Sequence, residues 1–342
     1  MNFFKKLKKC YFIAEIGVNH NGNLDLCKKM IIAAKKSGAD AVKFQTFKAS
    51  TLALKNTPKV KYQLSKSSKK ETHYEMLKKL ELSYKDHIKI RNFCKKNKIE
   101  FISTPYDIES AKFLNRIGVK FFKTSSADLT DINLQEYLAK TKKHVIISTG
   151  MSNLNEINKT IKLYKKFKNN KYILLHCVSN YPCKDNSINL QSLKVLSDKF
   201  KCPIGYSDHS IGNESSIIAA AYKIKLIEKH FTLNKNLKGP DHKTSITPVE
   251  FKNLVHSVRR AEIMIGKYSK KVQNEEKEML NISRKSIVSI NAIKKNEKFS
   301  IKNISLKRPG TGIKAKYFNY ILGKKAKKNI VNNKLISFKD IK

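Results

Sequence analysis

Lysines and histidines that interrupt short apolar runs are the first places to look for chemistry in this sequence. Lys43 stands in Ala41-Val42-Lys43-Phe44-Gln45 and Lys123 in Phe121-Phe122-Lys123-Thr124-Ser125, and the hydroxyls of Ser126, Ser148 and Ser207 lie at the ends of similar runs. A lysine among apolar residues is costly unless an anion accompanies it, so a phosphorylated or carboxylated ligand is one natural partner. The other is an internal ion pair with Glu15, Glu228 or Asp208, and the pattern leaves both open. His209 and His230 close two successive runs. Two imidazoles facing one space can hold a divalent metal, with water or substrate completing the shell, or can be hydrogen-bonded structural residues. Glu15 has the chemistry of a general base, or of a cap on a neighbouring loop.

These residues are far apart in the chain, so the fold has to bring them together. Short β-rich runs followed by turn residues and helix-period segments alternate regularly. Strands are predicted at Tyr11–Ile16, Ala41–Gln45, Glu100–Ser103, Phe121–Ser125, His144–Thr149, Tyr172–Val178, Pro203–Asp208 and Leu226–Thr232. Helical patterns between them include Leu24–Ser37, Tyr84–Asn97, Asn153–Phe167, Ile188–Phe200 and Asn213–Lys223. Thr247-Pro248-Val249-Glu250 opens another with an N-cap, a first-turn proline and a capping box. A doubly wound sheet would alternate similarly, but eight strand-then-helix units favour a (β/α)8 TIM barrel. Nearly every predicted strand ends in polar or ionisable residues, and in a barrel those ends converge on the face that holds the active site. Residues 1–266 are expected to form this barrel, 267–283 a linker or solvated helix, and 284–342 a small β-containing domain that needs a larger neighbour for support.

Composition narrows the function classes. The longest apolar runs fall short of the roughly 18 to 20 residues needed to cross a bilayer. The N-terminal lysines are followed by a stretch that contains Glu15 and lacks a small-residue cleavage site, so no signal peptide is expected. Cys10, Cys27, Cys94, Cys177, Cys183 and Cys202 form no CxxC pair and read as reduced thiols of a cytoplasmic protein. The formal charge of +44 raises the question of a polyanion partner. The lysines are scattered over every predicted helix, however, and there is no tryptophan. That argues for a solvated lysine-rich surface and against a nucleic-acid face.

Ordered motifs run from about residue 11 to about 340. They include Ala14-Glu15-Ile16-Gly17 with Asn19-His20-Asn21-Gly22, Val42-Lys43-Phe44-Gln45-Thr46, Ser103-Thr104-Pro105, Ser148-Thr149-Gly150-Met151 and His176-Cys177 with Tyr181-Pro182. Ser207-Asp208-His209, Glu228-Lys229-His230-Phe231-Thr232, Gly239-Pro240-Asp241-His242-Lys243, Arg284-Lys285-Ser286-Ile287-Val288 and Lys307-Arg308-Pro309-Gly310 continue the series. Together they resemble the bacterial N-acetylneuraminate synthase family, which includes legionaminic and pseudaminic acid synthases. The resemblance implies a TIM barrel followed by an antifreeze-like SAF domain, in a swapped homodimer whose small domains cover the partner's barrel mouth.

The resemblance also implies residue roles. His209 and His230 match the family's ligands for Mn2+ or Mg2+, and Lys43, Lys123, Ser126, Ser148 and Ser207 match its phosphoenolpyruvate-binding set. Glu15, Gln45, Tyr181 and Asp241 match sugar-side or catalytic positions, with Glu15 placing or deprotonating a water. Thr104 and Ser179 are expected among the substrate contacts, and Arg308 resembles the arginine that reaches the acetamido group from the partner. Departures are Ser125-Ser126-Ala127-Asp128, where many relatives have Gly-Ser-Gly-Glu, and Ser179, where one branch has Asn. The implied reaction condenses phosphoenolpyruvate with N-acetylmannosamine or a related acetamido sugar, and the motifs favour the neuraminate and legionaminate branches over the pseudaminate one. Competing readings are a pseudaminic acid synthase, a 3-deoxy sugar acid synthase acting on phosphorylated aldoses, and a non-catalytic polyanion-binding barrel.

Overall fold

The computed structural model describes residues 2–59 and 71–342. Eight parallel strands close into a barrel in sequence order: β1 (Tyr11–Gly17), β2 (Ala41–Thr46), β3 (Glu100–Pro105), β4 (Phe121–Thr124), β5 (His144–Ser148), β6 (Tyr172–His176), β7 (Ile204–Asp208) and β8 (Leu226–His230). Every predicted strand forms, within one or two residues of its expected ends. Helices cover the outside, so the strands are buried on both faces and read as near-continuous apolar runs. The capping box at Thr247 starts the helix Pro248–Ile265 as expected. The helix expected over 188–200 is interrupted: Asn189 takes a left-handed conformation at φ 46°, which ends a short turn at Asp185–Ile188 before Gln191–Phe200 begins.

The two-residue period of a strand explains how the barrel interior is layered. Ile13, Ala41, Ile102, Phe121, Ile146, Ile173 and Leu226 pack together inside the barrel. Two residues further along the same strands stand Glu15, Lys43, Thr104, Lys123, Ser148 and Glu228, with Leu175 the apolar exception on β6. An apolar floor therefore lies under a polar layer at the C-terminal ends. Phe3 and Phe4, on the short helix Phe3–Lys6, close the other end, with ring centroids 5.0 and 5.6 Å from that of Phe121. On β7 the inward position below Ser207 is Gly205. A Cβ there would sit 2.5 Å from Leu175 Cδ2 and 2.7 Å from the Leu226 carbonyl oxygen, so no side chain fits.

The chain divides into two compact units, Met1–Gly266 and Lys267–Lys342. In the second, the helix Glu276–Ser283, none of whose residues is buried, precedes an antiparallel pair, β9 (Ser286–Ser289) and β10 (Ile304–Lys307). This unit has its own core of Ile287, Ile293, Phe299, Ile304, Ile313, Ile321, Ala326, Ile330 and Ile336. Among the described residues no helix is long and apolar enough to cross a membrane. All six cysteines are free thiols.

Candidate active site

A cavity of about 640 Å³ opens at the C-terminal ends of the barrel strands. Glu15, Lys43, Gln45, Thr104, Lys123, Ser126, Ser148, Ser179, Tyr181, Ser207, His209, His230 and Asp241 all line it. Arg308 is the one expected site residue that belongs to the second unit. It is exposed, and its Nε donates to the Ser283 carbonyl at 3.0 Å.

The floor of the cavity is a network of two lysines and two glutamates, all nearly fully buried. Lys43 Nζ lies 2.9 Å from Glu15 Oε2 and 3.8 Å from Glu228 Oε2, and donates to Thr104 Oγ1 at 3.3 Å. Lys123 Nζ lies 3.5 Å from Glu228 Oε1 and donates to Ser148 Oγ at 2.6 Å. Both lysines thus have internal carboxylate partners. Asp208 is not one of them, because it alternates with Ser207 and His209 along β7 and so faces outward, onto Lys229 at 2.7 Å. That removes it from the expected ion-pair partners of Lys43 and Lys123.

The two carboxylates are shifted in opposite directions. Burial raises Glu15 from 4.5 to about 7 in spite of Lys43. Burial opposes ionisation of Glu228 too, but Lys123, Lys43 and the Ser207 hydroxyl at 2.9 Å outweigh it and bring its pKa down to about 2. Burial also works against both ammonium charges. Glu15 and Glu228 more than offset this at Lys43, whereas Lys123 remains below its ordinary value. Gln45 Nε2 donates to Glu15 Oε1 at 3.3 Å, leaving Glu15 Oε2 with Lys43. A carboxyl that titrates near neutrality next to a fixed cation, beside an ionised carboxylate shared by two lysines, suits an anionic substrate that changes charge during reaction.

His209 and His230 stand side by side with ring centroids 5.7 Å apart and planes at 67°. His209 Nδ1 is 2.7 Å from the Val178 carbonyl, which can only accept, so Nδ1 carries the proton. Ser207 lies 3.3 Å from His209 Nε2, but its single hydroxyl hydrogen goes to Glu228, leaving the Nε2 lone pair unclaimed. His230 Nδ1 is buried without a hydrogen bond, 3.8 Å from Asp241 Oδ2. Burial lowers His209 to about 4 and His230 well below its ordinary value, so both rings are neutral near pH 7. Neutral imidazoles with available lone pairs are what a divalent cation needs, and the pair fits one. Among the described residues no group of three His, Cys, Asp or Glu side chains has metal-ligand geometry, so water or substrate would have to complete the shell. The Tyr181 ring packs against both histidines, at centroid distances of 4.1 and 5.2 Å.

On the β4–β6 side, Ser126 Oγ accepts from Gly150 N at 3.1 Å and lies 3.1 Å from Cys177 Sγ. A Cβ on Gly150 would fall 2.5 Å from Ser179 Oγ and 2.9 Å from Ser126 Oγ, so glycine lets these hydroxyls approach one another. Asp128 accepts from Ser125 Oγ at 2.6 Å and is raised to about 6, mainly by burial. Two contributors were not anticipated as site residues. Glu228, which the sequence offers only as a possible ion-pair partner of the lysines, joins Lys43, Lys123 and Ser207. The signal was present, since it precedes His230 by two residues and therefore shares its face. The other is an apolar wall of Leu52, Leu54, Met76, Leu77 and Leu80, contributed by the long β2–β3 connection.

Two family models cover most of the chain: the NeuB family matches residues 30–270 and the SAF domain residues 284–342. N,N'-diacetyllegionaminic acid synthase of Campylobacter jejuni subsp. jejuni serotype O:2 is 44% identical over 96% of this chain and 99% of its own length. Pseudaminic acid synthase of the same organism is 36% identical over 96% of this chain and 95% of its own length. Among solved structures, the N-acetylneuraminic acid (sialic acid) synthetase of Leptospira borgpetersenii serovar Hardjo-bovis, in complex with citrate, superimposes with a TM-score of 0.71 at 33% identity, covering 80% of this chain and 90% of that one. The barrel, the small domain and the ordered motifs all agree with these matches, and the chain belongs to the NeuB family, with a SAF domain at its C-terminal end.

Proposed function

We propose that the protein condenses phosphoenolpyruvate with 2,4-diacetamido-2,4,6-trideoxymannose and water, giving N,N'-diacetyllegionaminate and phosphate. The observation that carries the reaction class is the convergence of two buried lysines, a protonatable Glu15 and two neutral histidines in one barrel-mouth cavity. The choice of sugar is supported by the higher identity to the legionaminic acid synthase than to the pseudaminic acid synthase. N-acetylmannosamine is the alternative acceptor.

In this reading Lys43 and Lys123, with Ser126, Ser148 and Ser207, hold the phosphate and carboxylate of phosphoenolpyruvate by charge-assisted hydrogen bonds. Gln45, Thr104, Ser179, Tyr181 and Asp241 orient the open-chain sugar so that its aldehyde carbon faces C3 of phosphoenolpyruvate. His209 and His230 would hold Mn2+ or Mg2+, which supplies Lewis acidity to the aldehyde oxygen. The C3–C1 bond forms as the C2=C3 and aldehyde C=O π bonds open, the aldehyde oxygen taking a proton from solvent and C2 being left with cationic character. Glu15 accepts a proton from the water that adds to C2. Cleavage of the C2–O bond then expels phosphate, the C2 hydroxyl loses its proton, and the 2-keto acid results. Glu228, kept ionised, holds both ammonium groups in place when the phosphate leaves.

The family resemblance also supports a domain-swapped homodimer, in which Arg308 from a second copy meets the acetamido group, and a cytoplasmic location. The test is kcat/KM for phosphate release with Mn2+ and each of N-acetylmannosamine, 2,4-diacetamido-2,4,6-trideoxymannose and its altrose-configured isomer. The diacetamido mannose is expected to lead. A lead for the altrose isomer would move the protein to the pseudaminate branch, and turnover with none would remove the reading.

A further inference from the structure

Behind the two histidines, on the outer face of β7 and β8, lies a second buried polar cluster. Asp208 and Lys229 are register partners across the two strands, and each immediately precedes a histidine, His209 or His230. Lys229 Nζ lies 2.7 Å from Asp208 Oδ2, with the side chains 4% and 0% exposed. Asp208 Oδ1 accepts from the backbone N–H and hydroxyl of Ser210 at 2.9 and 2.6 Å. Oδ2 accepts from Ser215 and Ser216 at 2.9 and 2.6 Å. Lys229 Nζ donates in turn to the Ser210 carbonyl at 2.9 Å. The residues on both sides of His209 are thereby tied to one ion pair, whose ammonium belongs to the residue before His230. The His209 carbonyl accepts from Cys183 N–H at 2.8 Å, which leaves this backbone little freedom.

Stability alone does not call for such a pair, because an apolar pair of similar volume packs as well or better in a buried site. What carboxylate and ammonium add is fixed direction and length across neighbouring strands. A slip of one residue in either strand would send a histidine to the outer face. We propose that Asp208 and Lys229 form a positioning device that sets the spacing and aim of His209 and His230, and with them the affinity of the site for a divalent cation. This rests on the reading of the two histidines as metal ligands.

The test is Mn2+ titration of the full-length protein without substrates, followed by electron paramagnetic resonance of free Mn2+, beside a titration with phosphoenolpyruvate alone. Lys229→Met is expected to bind Mn2+ about tenfold more weakly, the lower end of what outer partners of metal ligands contribute, with phosphoenolpyruvate affinity within about twofold of wild type. Wild-type Mn2+ affinity in this variant overturns the inference, and so does an equal loss for both ligands, which marks general loosening of the barrel. If Lys229→Met does not fold, Ser216→Ala removes one donor to Asp208 while keeping the charges, and unchanged Mn2+ affinity there overturns the inference equally. His209→Ala run in parallel separates the two claims. Unchanged Mn2+ binding in that variant overturns both, whereas its loss there beside wild-type binding in Lys229→Met overturns only the positioning role.

Discussion

Replacing Glu15 by Gln tests the electrostatics of the site at its most sensitive point. Glu15 is raised from 4.5 to about 7 because burial outweighs the Lys43 ammonium 2.9 Å away. The folded protein therefore holds this proton at pH values where the unfolded chain has lost it. The corresponding stability is fully present below about pH 4.5 and is lost as pH rises through about 7. A rise of this size is worth ~3 kcal/mol. Gln does not titrate, so urea denaturation of the two proteins between pH 4.5 and 8 should show wild type losing ~3 kcal/mol relative to Glu15→Gln. In the activity assay, kcat/KM of the wild type should fall on the acid side of a pKa near 7. The variant should lack that limb, with kcat lower by about 10²–10⁴, the usual contribution of a positioned base. Parallel stability profiles for the two proteins would refute the claim that burial controls Glu15.

Lys123→Met should raise the phosphoenolpyruvate KM by about 10–150-fold, the equivalent of one charge-assisted hydrogen bond at ~1.5–3 kcal/mol, with the sugar KM little changed. An unaltered phosphoenolpyruvate KM would remove Lys123 from the anion site. His209→Ala should abolish Mn2+-dependent turnover, and metal-dependent activity at the wild-type level would contradict the ligand role. Arg308→Ala should raise the sugar KM while leaving phosphoenolpyruvate affinity nearly unchanged, and the reverse pattern would count against its contact with the acetamido group.

The barrel was legible because its strands are short apolar runs with polar ends, and a parallel barrel buries both faces of every strand. The same alternation carries Ile13 to Glu15 and Phe121 to Lys123, from floor to polar layer, so the cavity's position could be anticipated from these pairs alone. It also shows where reading strand ends as one group falls short. Ser207, Asp208 and His209 are consecutive and cannot share a face, and it is Asp208 that turns outward to Lys229. The spacing puts Glu228 on the same face as His230, but only closure of the barrel brings that acid between two lysines on other strands. The apolar wall from Leu52, Met76, Leu77 and Leu80 depends on how the long β2–β3 connection folds back, which no strand or helix period specifies. The break at Asn189 likewise turns on a single left-handed residue inside an otherwise helical pattern.

The most direct test of the central claim is product stoichiometry. The purified protein is incubated with phosphoenolpyruvate, Mn2+ and 2,4-diacetamido-2,4,6-trideoxymannose, with phosphate measured colorimetrically and the sugar acid by mass spectrometry. The account predicts one phosphate released per molecule of nine-carbon diacetamido keto acid formed, and no release when the sugar is omitted. Phosphate released without the sugar, or no keto acid from metal-loaded protein, would contradict it.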